Sequence, residues 1–177
     1  MTDLSNRKVA VIAMDGFEDS ELTSPVEAVR GAGATVTIIS PKAGTIEGKN
    51  GTSVKVDLES AQADAGDFDA LILPGGTSNA DKLRMDEAAV KFVQDIFAAG
   101  KPTGVICHGG WILTDADVLK GRTLTSFRSL KTDLQNAGAT WVDEEVHCDQ
   151  GLVSSRTPDD LPAFNEKILE EFAEGQH

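Results

Sequence analysis

The chain has 177 residues, 40% of them hydrophobic and 25% charged, which suits a single domain spanning 1–177 with a sizeable core. Asp and Glu number 29 against 16 Lys and Arg, and the resulting net charge of −13 disfavours nucleic acid and anionic membranes as partners. No apolar run reaches the length of a membrane span, MTDLSNRK lacks the apolar core of a signal peptide, and two cysteines make no disulfide framework, so a cytoplasmic protein is expected.

Lys8 to Met14, KVAVIAM, reads as a strand buried on both faces, and Asp15-Gly16 as the turn after it. Phe17 to Ala32 reads as a loop passing into a helix, with Leu22, Val26 and Val29 on its buried face. Pro25 fits only the first helical turn or a kink there, and Gly31 and Gly33 end the helix. Thr35 to Ser40 is the next strand. Residues 45–58, with Gly48, Asn50 and Gly51, suggest a β-hairpin excursion.

Asp69 to Leu73 is a short buried strand ending in Pro74-Gly75-Gly76. Asp81 to Ala99 is amphipathic, with Ala89, Phe92, Val93, Ile96 and Phe97 on one side and Gly100 closing it. Thr103 to Cys107 is a strand, followed by a helix to about Leu119. Thr123 to Ser126 reads as a strand, and Leu130 to Ala137 as a short helix stopped by Gly138. Trp141 to Val146 and Leu152 to Ser155 read as strands around a turn at Asp149-Gln150-Gly151. Pro158 to Phe172 is the last helix, with Leu161, Phe164, Ile168 and Leu169 buried. Strands alternating with helices at this spacing predict an α/β sandwich around a mainly parallel sheet.

The most informative stretch is TGVICHGGWIL, residues 103–113. Cys107 falls where a buried strand turns into an apolar helical run, with His108, Gly109 and Gly110 directly after it. Backbone N–H groups and the helix dipole at such a turn favour an anion, and a thiolate is the nucleophilic form of cysteine. The pattern is that of a nucleophile elbow carrying Cys instead of Ser. A small inert cysteine at a strand end fits the same residues. Ligands of parallel sheets bind beyond the carboxyl ends of strands. Three features collect there: the loop with Glu18 and Glu21, the Pro74-Gly75-Gly76 turn, and Cys107-His108.

KVAVIAMDGFEDSELTSP, DFDALILPGG, GVICHGG and VSSRTPDDLPAFN occur in this order along nearly the whole chain. Together they resemble the PfpI (intracellular protease I-like) branch of the ThiJ/PfpI superfamily. FEDSELTSP and the last segment are especially similar to bacterial stress proteins of the YhbO type. The resemblance implies a flavodoxin-like three-layer sandwich, class I glutamine amidotransferase-like, and a homodimer or larger oligomer. It maps the family's reactive cysteine onto Cys107, its neighbouring histidine onto His108, and the acidic partner of the thiol onto Glu21. Glu18 is the second acid of that loop. The backbone at Gly76 and the His108 amide correspond to the oxyanion donors. Asp81 is the nearest match to an acid that some members supply from a neighbouring subunit. Relatives commonly carry Pro and then Gln or Leu after Cys-His-Gly; here stand Gly110 and Trp111, and the indole is placed to narrow the pocket.

Glu21 beside a thiolate is awkward, because neighbouring anions raise a pKa, so a protonated Glu21 donating to the sulfur is expected. A solvated glutamate in a first helical turn is the plainer alternative. Glu18 reads equally as an exposed acid or a partner of Arg30. His108 is either the base or only an amide donor. His147 and His177 read as surface residues, Cys148 as an incidental strand-end cysteine, and Asp143-Glu144-Glu145 and Asp159-Asp160 as solvated or capping acids.

Three functions follow. Cys107 attacks a small reactive carbonyl or a glycated amine or thiol, in cofactor-free glyoxalase or deglycase chemistry. Alternatively, the same thiol hydrolyses peptides, or the protein is a redox-sensing, chaperone-like stress protein without turnover. No metal or cofactor is expected.

Overall fold

The computed structural model describes residues 2–177. Its elements run β1 (Lys8–Ile12), α1 (Asp19–Gly31), β2 (Thr35–Ser40), β3 (Thr45–Glu47), β4 (Ser53–Lys55), β5 (Leu58–Glu59), β6 (Ala70–Leu73), α2 (Thr77–Leu83), α3 (Glu87–Ala98), β7 (Thr103–Ile106), α4 (Ile112–Asp115), β8 (Thr123–Leu124), α5 (Lys131–Asn136), β9 (Thr140–Trp141), β10 (His147–Asp149), β11 (Leu152–Ser155) and α6 (Leu161–Glu174).

Seven strands form one sheet in the order β10-β11-β7-β6-β1-β2-β5. Every pairing in it is parallel except β10 with β11. The central strands are apolar throughout because both faces are covered. Ala10, Ile12, Leu71, Leu73 and Val105 join Phe92, Ile96, Leu113 and Leu134 in one core layer. The alternate residues Val9, Val11, Ala70, Ile72 and Ile106 join Leu22, Val26, Phe164, Ile168 and Phe172 in the other. Helices therefore cover both faces, and the expected flavodoxin-like three-layer sandwich is the architecture observed.

Several local expectations are corrected. Pro25 lies inside α1, not in its first turn. It lacks the N–H that would bond the Glu21 carbonyl, and its buried ring compensates through packing. The 81–99 helix is two helices, because Asp86 caps a fresh start by accepting from the Ala89 N–H. After Cys107 there is one 3-10 turn and the single turn of α4, not a helix to Leu119. Residues 141–146 do not form a strand. Trp141 pairs in a small separate sheet with β8, and His147–Asp149 is the strand that edges the main sheet. The hairpin is β3 with β4, whereas Leu58 already belongs to the main sheet.

Candidate active site

Three neighbouring strands, β7, β6 and β1, end side by side at one edge of the sandwich. Their carboxyl ends continue into Cys107, Pro74-Gly75-Gly76 and the loop that carries Glu18 into α1, whose first turn holds Glu21. The structure thus brings together the features that the sequence placed at separate strand ends.

Cys107 has φ 62°, a left-handed conformation that costs a non-glycine residue about 1–2 kcal/mol. Two backbone bonds hold it there: its N–H donates to the Ser155 carbonyl at 3.0 Å, and its carbonyl accepts from the Phe127 N–H at 2.9 Å. Gly109 lets the elbow press onto the end of β6, since a Cβ there would lie 2.2 Å from the Leu73 carbonyl oxygen.

The Cys107 sulfur lies 3.3 Å from His108 Nδ1, so these adjacent side chains meet. On its other side, His108 Nε2 is 3.3 Å from Ser129 Oγ and 3.4 Å from Thr77 Oγ1. The consistent assignment is a thiol donating to Nδ1, with Nε2–H donating to a hydroxyl. The imidazole stacks on Phe127, with ring centroids 4.7 Å apart. Burial first, and then the Lys49 ammonium, lower the His108 pKa, which favours the neutral ring that can take a proton.

Glu21 is fully buried, with neither carboxyl oxygen in a well-formed hydrogen bond. Burial, and then the charge of Glu18, raise its pKa to about 8. The Gly75 N–H and the Cys107 thiol act in the opposite direction and are outweighed. A Cβ on Gly75 would sit 2.2 Å from Glu21 Oε1 and 2.8 Å from Cys107 Cβ, so this glycine leaves the acid and the thiol their room. The expectation of a thiol with a lowered pKa is corrected. Burial, and then a charged Glu21, push Cys107 up to about 12, against the His108 N–H and Lys49. The resting pair is a protonated acid beside a thiol. A thiolate arises only when the proton is handed to a neighbour.

Gly76, with φ 95°, starts α2 beside the elbow. Asn79, buried one turn later, accepts from the Met14 N–H and donates to the carbonyls of Pro74 and Gly75. One amide thereby ties the exit of β1 to the exit of β6. Trp111 is half-buried, its ring 6.5 Å from that of His108 and capped by the Arg84 guanidinium 4.6 Å above it. Asp81 lies exposed on α2, outside this group.

Glu18 is neither a free surface acid nor a partner of Arg30: Lys49 pairs with it. Lys49 rides on the tip of the β3–β4 hairpin. Asp19 holds that tip by accepting from the Asn50 and Thr52 N–H groups, and the Lys49 N–H donates to the Phe17 carbonyl. Lys49, Thr77, Asn79, Phe127 and Ser129 are the site residues that sequence reasoning missed. A lone lysine at a Gly-Lys-Asn-Gly tip in so acidic a chain was the available signal for the first; the others carry no local pattern.

Residues 7–171 match the DJ-1/PfpI family. The chain is 48% identical to Protein/nucleic acid deglycase 2 of Escherichia coli, over 93% of this chain and 96% of that protein. It is 45% identical to General stress protein 18 of Bacillus subtilis, over 92% of this chain and 96% of that one. A solved two-domain protein of Anabaena variabilis, with DJ-1/ThiJ/PfpI-like and ferritin-like domains, superposes with a TM-score of 0.90 at 35% identity, over 93% of this chain and 47% of that one. The chain belongs to the DJ-1/PfpI family.

Proposed function

We propose that this is a cysteine-dependent stress-response enzyme acting on small reactive carbonyls and their early adducts with amines. The observation that carries the reading is the Cys107 sulfur 3.3 Å from His108 Nδ1, with the fully buried Glu21 carboxyl beside it. The deglycase and stress-protein names of the two relatives support it.

Consider an amine adduct of methylglyoxal, R–NH–CH(OH)–CO–CH3. His108 Nδ1 takes the thiol proton as the sulfur attacks the carbinol carbon, and the C–N bond breaks. The amine leaves with a proton from the site. The hydrogen on the carbon now bonded to sulfur is passed as a proton to the neighbouring carbon through an enediol, leaving a thioester. Water hydrolyses the thioester, so adduct plus water gives amine plus lactate. Glu21, the Gly76 N–H and the His108 N–H are the donors for oxygen charge in these steps. Glu18 acts through Lys49, and Trp111 shapes the pocket. Free methylglyoxal enters the same route at the hemithioacetal.

The test is release of free amine and lactate from methylglyoxal-treated Nα-acetyl-lysine, with Cys107→Ala as the control. Cys107-dependent cleavage of casein without lactate release assigns the site to peptide hydrolysis instead. The proposal includes a two-fold homodimer in solution, the commonest oligomer symmetry; a monomer in light scattering at micromolar concentration refutes that part and removes Asp81 as a cross-subunit acid.

A further inference from the structure

At the opposite end of the sheet, where β7 and β11 begin, a second group of metal-binding side chains converges. His177 donates its backbone N–H to the Gly100 carbonyl at 2.7 Å, and its ring rests on Gly151. This sets His177 Nε2 3.4 Å from Glu171 Oε1 and 3.8 Å from Glu174 Oε2. One ligand atom from each of the three lies within 4.8 Å of the others. Behind them, the Cys148 thiol donates to the same Glu171 oxygen at 3.0 Å.

We propose that Glu171, Glu174 and His177 form a binding site for one divalent transition-metal ion of the zinc type, with Cys148 orienting the Glu171 carboxylate. Five observations support it. Imidazole with carboxylates, and a thiol at hand, is the donor set that suits a borderline-soft ion rather than calcium or magnesium. The spacing also fits. Bonds of about 2.0–2.1 Å in tetrahedral geometry put ligand atoms about 3.3 Å apart, close to the 3.4 and 3.8 Å between His177 and the two carboxylates. Glu171 is only 6% exposed, and the nearby Lys167 is engaged with Glu170, so the buried carboxylate has His177 as its basic neighbour. Its bond from Cys148 is the outer-shell support that metal-bound carboxylates receive. Glu174 and the His177 ring are partly exposed and give the ion a way in. The ion would pin His177, which rests on Gly100 and Gly151 just before β7 and β11, to the end of α6.

Zinc titration of the purified protein against a chromophoric chelator tests this. The expected result is one saturable zinc per chain, weakened at least about tenfold in both His177→Ala and Glu171→Gln and unchanged in Cys107→Ala. Cobalt in place of zinc should give the intense visible bands of a four-coordinate site, lost in His177→Ala. His177→Ala alters only an exposed chain segment, so circular dichroism confirming its fold keeps the comparison valid even if Glu171→Gln misfolds. Absence of saturable binding overturns the proposal and leaves a Glu171–His177 ion pair. Binding that survives His177→Ala but vanishes in Cys107→Ala also overturns it, by placing the metal at the active site.

Discussion

Lys49, at the tip of a hairpin far from Cys107 in sequence, is ion-paired with Glu18 at the mouth of the site. Its charge lowers the pKa values of both Cys107 and His108. In Lys49→Ala, both groups hold their protons more tightly. His108 must be neutral to take the thiol proton, so the acid limb of the kcat/KM profile moves to higher pH. At neutral pH, kcat/KM falls about three- to tenfold, the scale of a partly exposed ion pair. An acid limb that stays in place excludes this role for Lys49.

Glu21 titrates at about 8 in the folded protein, against an ordinary value near 4.5. The folded state thus holds its proton where the unfolded chain has lost it. The stabilising contribution is complete below about 4.5 and is lost as pH rises through about 8. Glu21→Gln has no such ionisation. Its Tm should gain on the wild type as pH rises across that window, while its activity falls because the amide cannot donate a proton. Carbon-13 NMR of the Glu21 carboxyl, showing it ionised at pH 5, would contradict both expectations.

Cys107→Ala and Cys107→Gly are both expected to be inactive, and they should differ in stability. Alanine keeps the left-handed strain at φ 62°, and glycine relieves it. The glycine variant should be more stable than the alanine variant by about 1 kcal/mol, read from denaturant midpoints. Equal midpoints would mean that the elbow stores no such strain.

Mild peroxide should convert Cys107 to a sulfinic acid, not a disulfide. Cys148 pairs with Val153 on β11, and Val153 with Gly104 on β7, so two strand spacings and three residues along the strand put the two cysteines about 14 Å apart, outside disulfide reach. The protonated Glu21 would donate to the new oxygens. Cys148, whose thiol donates to the Glu171 carboxylate and is pushed up to about 12, has no imidazole beside it and should remain unmodified. Mass spectrometry of the two peptides decides. Oxidation of Cys148 first, or a Cys107–Cys148 bridge, would refute the assignment.

The central strands and the elbow were legible because burial on both faces writes continuous apolar runs, and a turn after such a run is marked by small residues. Cys107 and Gly76 follow strand ends that sequence could locate, and Glu21 lies in the helix entered from the loop after β1. Long-range relations were not legible. Nothing local says that Asp19 holds a hairpin tip some thirty residues on, or that Asn79 accepts from Met14. The 81–99 stretch read as one helix because its apolar spacing persists across Met85-Asp86, where the Asp86 side chain caps a new helix. The thiol's pKa was misread for a related reason: the turn favours an anion, but burial of the sulfur, and then the Glu21 carboxyl brought in on α1, do not.

The pocket is assembled from the ends of β1, β6 and β7, whose pairings join residues 11, 72 and 104 of the chain. Such parallel ladders close long loops before they gain contacts, so they form late and slowly in folding. No fragment of the chain holds a working pocket, and the helices that supply Glu21 and Asn79 contribute to it only once they dock against the strand ends. During refolding from denaturant, ellipticity from helices should therefore recover ahead of catalysis. Turnover then reports arrival at the complete sheet, and a chain stalled short of it carries no stray nucleophilic activity into the cell.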